Sequence, residues 1–290
     1  MLSRFGIGKF RKASLREQTD VPPAVTAPTN PTSILDCYVK TAPSPQNAID
    51  IFTGEWASKF PPPYDHLSAG TIPVFQDGRL IWGIQQLGGV YGQHILELGP
   101  LEGAHSYVLE RAGATSITAI EANTRAYLKC LITKEIVNLQ RTRFLCGDFV
   151  PYLEKTTDRF DAIIASGVLY HMKDPLKLLE LIARRTDRVY IWTHYFDQKI
   201  VADKPYLQVR FNHENNVKLG ESTIIEYRHE YQQSLQTNGF SGGSSEFSTW
   251  LSRDGLMLAL REFGFTHFEF SWEMPDHPHG PCLSMIAVRK

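Results

Sequence analysis

Several short stretches near the centre of the chain combine residue types that could do chemistry together. Glu97 and Gly99-Pro100, with Gly103 just beyond, join a carboxylate to backbone that can approach a ligand closely. Glu121 lies 22 residues past Gly99, where a carboxylate can accept two neighbouring hydroxyls. Asp148-Phe149 sets an acceptor for an amino group beside a ring that can pack on a flat heterocycle. Ser166-Gly167-Val168-Leu169-Tyr170-His171 adds an imidazole whose ordinary pKa suits proton removal near neutrality, with Tyr170 as a pocket wall. His194, followed by Tyr195, offers a second imidazole for binding an acceptor or taking a proton. Arg79, upstream with Trp82, carries the planar fork that matches a ligand carboxylate.

These groups can cooperate only if the fold gathers them, and from Gln93 the sequence alternates strand and helix. Apolar runs predict strands at His94 to Leu98, Ser116 to Ile120, Arg143 to Cys146, Phe160 to Ala165 and Val189 to Thr193. Helices are predicted over Gly103 to Ala112, over Asn123 to Val137 with Leu128, Leu131, Ile132 and Ile136 on one face, and from Pro175 to Ala183. Strand, helix, strand at this spacing specifies an α/β, doubly wound parallel sheet. Ligands bind such sheets outside the carboxyl ends of the strands, where Glu97 to Gly103, Glu121, Asp148, Ser166 and His194 all fall.

In that order, E-L-G-P-L-E-G, the acid of A-I-E-A-N, the G-D-F and F-D-A-I-I-A-S-G-V-L-Y-H resemble the class I S-adenosylmethionine-dependent methyltransferases. The resemblance covers roughly residues 93 to 196 and 250 to 290. It implies a Rossmann-like seven-stranded sheet, mostly parallel with an antiparallel final strand, and S-adenosylmethionine as cofactor. It also implies a cofactor site at Glu97, Gly99, Pro100, Gly103, Glu121, Asp148, Phe149, Ser166 and Arg79, with His171 and His194 as catalytic candidates. One departure is Leu101, where the family's turn usually has glycine, so a less open loop is expected and Glu102 could take an added polar role. A nicotinamide-dinucleotide site fits less well: the chain has G-x-x-x-G instead of G-x-G-x-x-G, and Glu97 would repel a pyrophosphate while suiting an amino or sulfonium group.

The flanking regions set the expected organisation. Residues 1 to 33, basic and then rich in Pro, Thr and Ala, read as a mobile arm. Residues 34 to 92 form an N-terminal helical cap, with Ser44-Pro45 starting one short helix through Phe52 and Asp77 capping another through Leu87. The cofactor-binding core occupies 93 to 196 and an inserted lid 197 to 250, in which His213, His229, Glu226 and Glu230 could face an acceptor. Residues 251 to 290 supply a helix and two antiparallel strands, His267 to Trp272 and Leu283 to Val288. Asp276, His277 and His279 have a spacing that could hold a metal, but a Pro-rich surface turn explains them, and no metal is expected.

Lys and Arg total 30 against 31 Asp and Glu, a net charge of −1, which disfavours a nucleic-acid partner. Four cysteines without a C-x-x-C pair, and the lack of a membrane-length apolar run or secretory signal, point to a cytoplasmic protein. The acceptor expected is a small polar molecule bearing a hydroxyl, such as a sugar, polyol or natural product. The alternative is a tRNA-modifying methyl or carboxymethyl transferase, because G-V-L-Y-H followed by P-L is similar to the wobble-uridine carboxymethyl transferases. The sequence is silent on oligomeric state.

Overall fold

The computed structural model describes residues 37 to 237 and 240 to 290, so the expected arm at 1 to 33 lies outside the described residues. Two short helices come first: α1, Pro45–Asp50, capped by the Ser44 hydroxyl, and α2, Gly78–Gln86, capped by the Asp77 carboxylate. The alternating region follows as β1 His94–Leu98, α3 Ala104–Arg111, β2 Ser116–Glu121, α4 Thr124–Ile136 and β3 Thr142–Cys146. It continues with α5 Phe149–Lys155, β4 Ala162–Ser166, α6 Pro175–Arg185 and β5 Arg188–His194.

After β5 the chain forms α7 Gln198–Ala202 and α8 Pro205–Gln208, then an antiparallel sheet of β6 Phe211–Leu219, β7 Ser222–Glu230 and β8 Phe247–Leu251. It returns through α9 Arg253–Glu262, β9 His267–Met274 and β10 Cys282–Val288. The large sheet has the order β3-β2-β1-β4-β5-β10-β9. Its first five strands pair in parallel, and β10 runs antiparallel to both β5 and β9. The expected α/β, seven-stranded architecture with an antiparallel final strand is therefore the one adopted.

Apolar cores cover both faces of this sheet, as strand runs without polar alternation require. Along β1 the period of two sends Ile95 to the core shared with α2, α3 and α4, and Leu96 and Leu98 to the core shared with α6 and α9. Helix α2 lies close to the sheet because Gly83 has no side chain; a Cβ there would meet the Tyr190 ring at 2.3 Å.

The face expected of α4 holds only in part: Ile132 and Ile136 pack against the core. Leu128 and Leu131 are exposed, and the helix buries Ala126, Lys129, Cys130 and Thr133 instead. The reason is a buried ion pair: Lys129 turns inward to Glu102, Nζ to Oε1 2.6 Å. That pairing rotates the leucines toward water. Glu102 also accepts the backbone N–H groups of Ala57 and Ser58 at 2.9 and 2.8 Å. The turn after β1 is thereby tied to the segment that precedes α2.

Candidate active site

The carboxyl ends of β1, β2, β3, β4 and β5 bring the sequence-derived candidates onto one rim. Glu97 is buried beside α3 and accepts the Ser106 hydroxyl hydrogen bond. Burial raises its pKa, opposed by His105 nearby and by the Ser106 bond. Gly99 follows with φ +64°, and a Cβ on it would meet Val168 Cγ1 at 2.7 Å, so only glycine fits. Pro100 is buried, and its carbonyl accepts from the N–H of Gly103, which opens α3.

Leu101 adopts φ +55°, the backbone conformation a glycine would supply, at a cost of about 1–2 kcal/mol for an L-residue. Leu101 thus follows the backbone path a glycine would take while adding a side chain to the loop. The conformation aims the Leu101 N–H at Glu121 Oε2, 3.0 Å, while Oε1 accepts from Asn123 N–H at 2.8 Å. Burial raises the Glu121 pKa and those N–H bonds oppose the rise. Each carboxylate oxygen keeps a lone pair, enough to accept from two vicinal hydroxyls.

Asp148 is exposed at the end of β3 and caps α5 through one oxygen, Oδ1 to Val150 N 2.8 Å, leaving the other open beside the half-buried Phe149. Ser166, half-buried, ends β4 next to Trp192 of β5. Arg79 does not stand free as a carboxylate clamp. Asp77 takes its fork, with Nε and Nη2 at 2.9 and 2.8 Å, and the guanidinium lies 4.6 Å over the Trp192 ring. Burial alone would raise the Asp77 carboxyl, but hydrogen bonds from His105 and Arg79 outweigh it and hold Asp77 well below the usual carboxylate range.

Past β4, His171 closes a short 3-10 turn over Leu169–His171, and its Nδ1 lies 2.7 Å from the Tyr231 hydroxyl. Burial, and the nearby His194, push the His171 pKa down to about 3. It is neutral at pH 7, with a free lone pair on one ring nitrogen but a basicity weakened by burial. His194, at the end of β5, directs Nδ1 at the carbonyls of Gly280 and Pro281, 2.9 and 3.2 Å, and burial pushes its pKa down to about 4. Its Nε2 therefore keeps the free lone pair. Tyr195, the next residue, is buried in the core on one face of the sheet.

Unforeseen from sequence is the aromatic stack that joins the small sheet to this rim. Trp250 of β8 lies between two imidazoles, 5.2 Å from His194 and 4.7 Å from His229, and stacks on both. Tyr170 meets Trp192, His194 and Trp250 edge-on. Trp250 Nε1 and His229 Nδ1 are buried without hydrogen-bond partners. Of the insertion residues considered, only His229 enters this stack. His213 is exposed, Asn215 bonds Glu226 at 3.5 Å, and Glu230 pairs with Arg228 at 2.6 Å. Trp250 could have been suspected as a lone tryptophan in a polar stretch, but its imidazole partners come from distant elements.

A family model described as a methyltransferase domain matches residues 75–269, well over half of the chain. The chain therefore belongs to the methyltransferase-domain family, and its sheet order places it in the S-adenosylmethionine-dependent class. Among curated proteins none matches it. Two solved structures of the N-terminal domain of EvdMO1, one with S-adenosylhomocysteine and D-fucose and one with S-adenosylhomocysteine, share the fold. Both are 22% identical, with 84% of this chain and 95% of that chain covered and TM-scores of 0.61 and 0.62. Magnesium protoporphyrin IX methyltransferase from Synechocystis PCC 6803 is more distant: 13% identity, 73% and 80% covered, TM-score 0.50.

The residues fit this cofactor on the geometry alone. Glu121 retains acceptor capacity for a ribose diol, Gly99 allows close approach, Asp148 has an open oxygen, and the buried Glu97 carboxylate suits a cationic neighbour. No helix of the described residues is long and apolar enough to cross a membrane.

Proposed function

We propose that the protein O-methylates a small polyhydroxylated molecule, a sugar, polyol or natural-product glycoside, with Glu97, Gly99, Pro100, Gly103, Glu121, Asp148, Phe149 and Ser166 forming the cofactor site. The observation that carries this reading is the neutral His171–Tyr231 pair at the carboxyl end of β4, set in an aromatic wall of Tyr170, Trp192 and Trp250. When bound, S-adenosylmethionine supplies an electrophilic methyl group on sulfonium. Nδ1–H of His171 donates to the Tyr231 oxygen, which leaves the Nε2 lone pair to accept the hydrogen of the acceptor hydroxyl and to take its proton as the methyl group is transferred. The half-buried rings of Tyr170 and Trp192 suit the apolar side of a sugar ring.

Arg79 contributes by fixing Asp77 and covering Trp192, with Nη1 left to reach a ligand carboxylate. That the EvdMO1 N-terminal domain was solved in the presence of D-fucose agrees with a sugar acceptor. The near-zero net charge speaks against RNA. The test is methyl transfer from radiolabelled S-adenosylmethionine to a panel of deoxysugars, polyols and glycosylated natural products, with transfer RNA as a parallel substrate. Methylation confined to hydroxyl compounds supports the proposal; labelling of transfer RNA alone overturns it.

A further inference from the structure

The side chains of His194, Cys282 and His277 converge in a way that the methyl-transfer reading does not use. His194 ends β5, Cys282 begins β10, and the two are directly paired across the strands. His277 lies in the turn between β9 and β10, its ring 5.0 Å from that of His194. One ligand atom from each of the three, two nitrogens and a sulfur, lie within 4.8 Å of one another, and this is the one such group of three among the described residues. We propose that His194, His277 and Cys282 form a site for a borderline-soft divalent metal ion of the zinc type, with a fourth position open toward the Tyr170–Trp192 wall.

The donor set and its surroundings argue for this class of ion. Two imidazoles and a thiolate with an open position are a zinc pattern, whereas magnesium and calcium require oxygen donors. His194 already has the outer bond that metal-bound histidines use: its Nδ1–H points at the Gly280 and Pro281 carbonyls, which leaves Nε2 with the lone pair a ligand needs. His277 is the adaptable member. It is half-exposed, and its ring makes a 3.2 Å bond at Nδ1 from the His279 N–H.

Cys282 is buried, and burial outweighs the nearby Arg79 and raises its thiol pKa, so its proton is one that a metal ion would have to displace. The positive charge of Arg79 is itself balanced by Asp77 at 2.8 Å. Lys204, whose Nζ lies 3.2 Å from the His277 carbonyl, is the remaining nearby cation, and a thiolate ligand offsets it. A bound ion would fasten the β9–β10 turn to the end of β5, beside the acceptor wall.

Cobalt(II) titration of the full chain tests the site, because a cobalt–thiolate bond gives a charge-transfer band in the near ultraviolet and tetrahedral cobalt absorbs in the visible. The starting protein carries Cys37→Ser and Cys146→Ser, which remove the two exposed thiols. Expected are both bands, saturation at one equivalent, their disappearance on adding zinc, and loss of the charge-transfer band in Cys282→Ser. His277→Ala, in a half-exposed turn and therefore tolerated by the fold, should weaken cobalt binding at least tenfold. Absence of the bands at saturating cobalt, or a charge-transfer band that survives Cys282→Ser, overturns the proposal. Retained S-adenosylhomocysteine binding shows that each variant is folded.

Discussion

Replacing Glu102 by Gln isolates the contribution of the buried ion pair beneath the cofactor loop. The Glu102 side chain is 1% exposed and accepts three hydrogen bonds, from Ala57 N–H, Ser58 N–H and Lys129 Nζ. A glutamine keeps the shape but presents its NH2 to one of these donors and leaves the Lys129 ammonium without its counter-charge. Lys129 is itself buried, with only the Glu55 carbonyl at 2.7 Å and the Trp56 ring face at 5.5 Å as other partners. Breaking one side of such a pair costs about 3–5 kcal/mol. In a chain of this size that lowers Tm by about 6–20 °C, at roughly 2–4 °C per kcal/mol. Urea unfolding should show a lower midpoint with unchanged slope. Adding Lys129→Met removes the stranded charge and should restore at least half of the loss. A loss below about 1 kcal/mol in Glu102→Gln, or no recovery in the double variant, would refute the view that the pair fixes the orientation of α4.

Three further perturbations address the site. His171→Gln should lower kcat about 10²–10⁴-fold with S-adenosylhomocysteine affinity unchanged; a matching loss of cofactor binding would make the residue structural instead. Glu121→Gln should weaken S-adenosylhomocysteine by about 10²-fold, since bonds to a charged acceptor are worth about 1.5–3 kcal/mol each, and Asp148→Asn by about tenfold, both read by calorimetry. His194 and His229 are pushed down to about 4 and about 3 by burial, so in metal-free protein the folded state holds them neutral while the unfolded chain protonates them below about 6.5. Stability is thus full above pH 6.5 and falls as the pH drops toward 4, by about 2 kcal/mol for each imidazole at pH 5; equal urea midpoints at pH 7.5 and 5 would contradict this.

The sheet was legible because β1 to β5 are short, apolar and separated by helices, so period and spacing settle both their type and their order. Glu97, Gly99, Glu121 and Asp148 followed from a rule about strand ends that is independent of side-chain detail. Helix α4 misled because its sequence offers two possible faces, and the choice between them depends on Glu102, a residue 27 positions away from Lys129. The stack of Trp250 between His194 and His229 was hidden for a similar reason. Its members come from β5, β7 and β8, and no local pattern marks a contact between two different sheets. His277 could be noticed by its spacing to His279, but its neighbours His194 and Cys282 become visible only once β10 is paired with β5.

The position of β10 has a consequence for how the molecule is assembled. It is the last strand in the sequence, yet it is inserted between β5 and β9, and Leu283, Ser284, Met285, Ile286 and Ala287 are each 0% exposed. While the ribosome is still holding that segment, β5 has an open hydrogen-bonding edge and β9 has no sheet to join. The nascent chain must therefore carry a partly built Rossmann core through synthesis of everything from α7 to β9 before the gap is filled. Any ligand that docks at the end of β5 before then meets an unfinished rim, which links active-site completion to the arrival of β10.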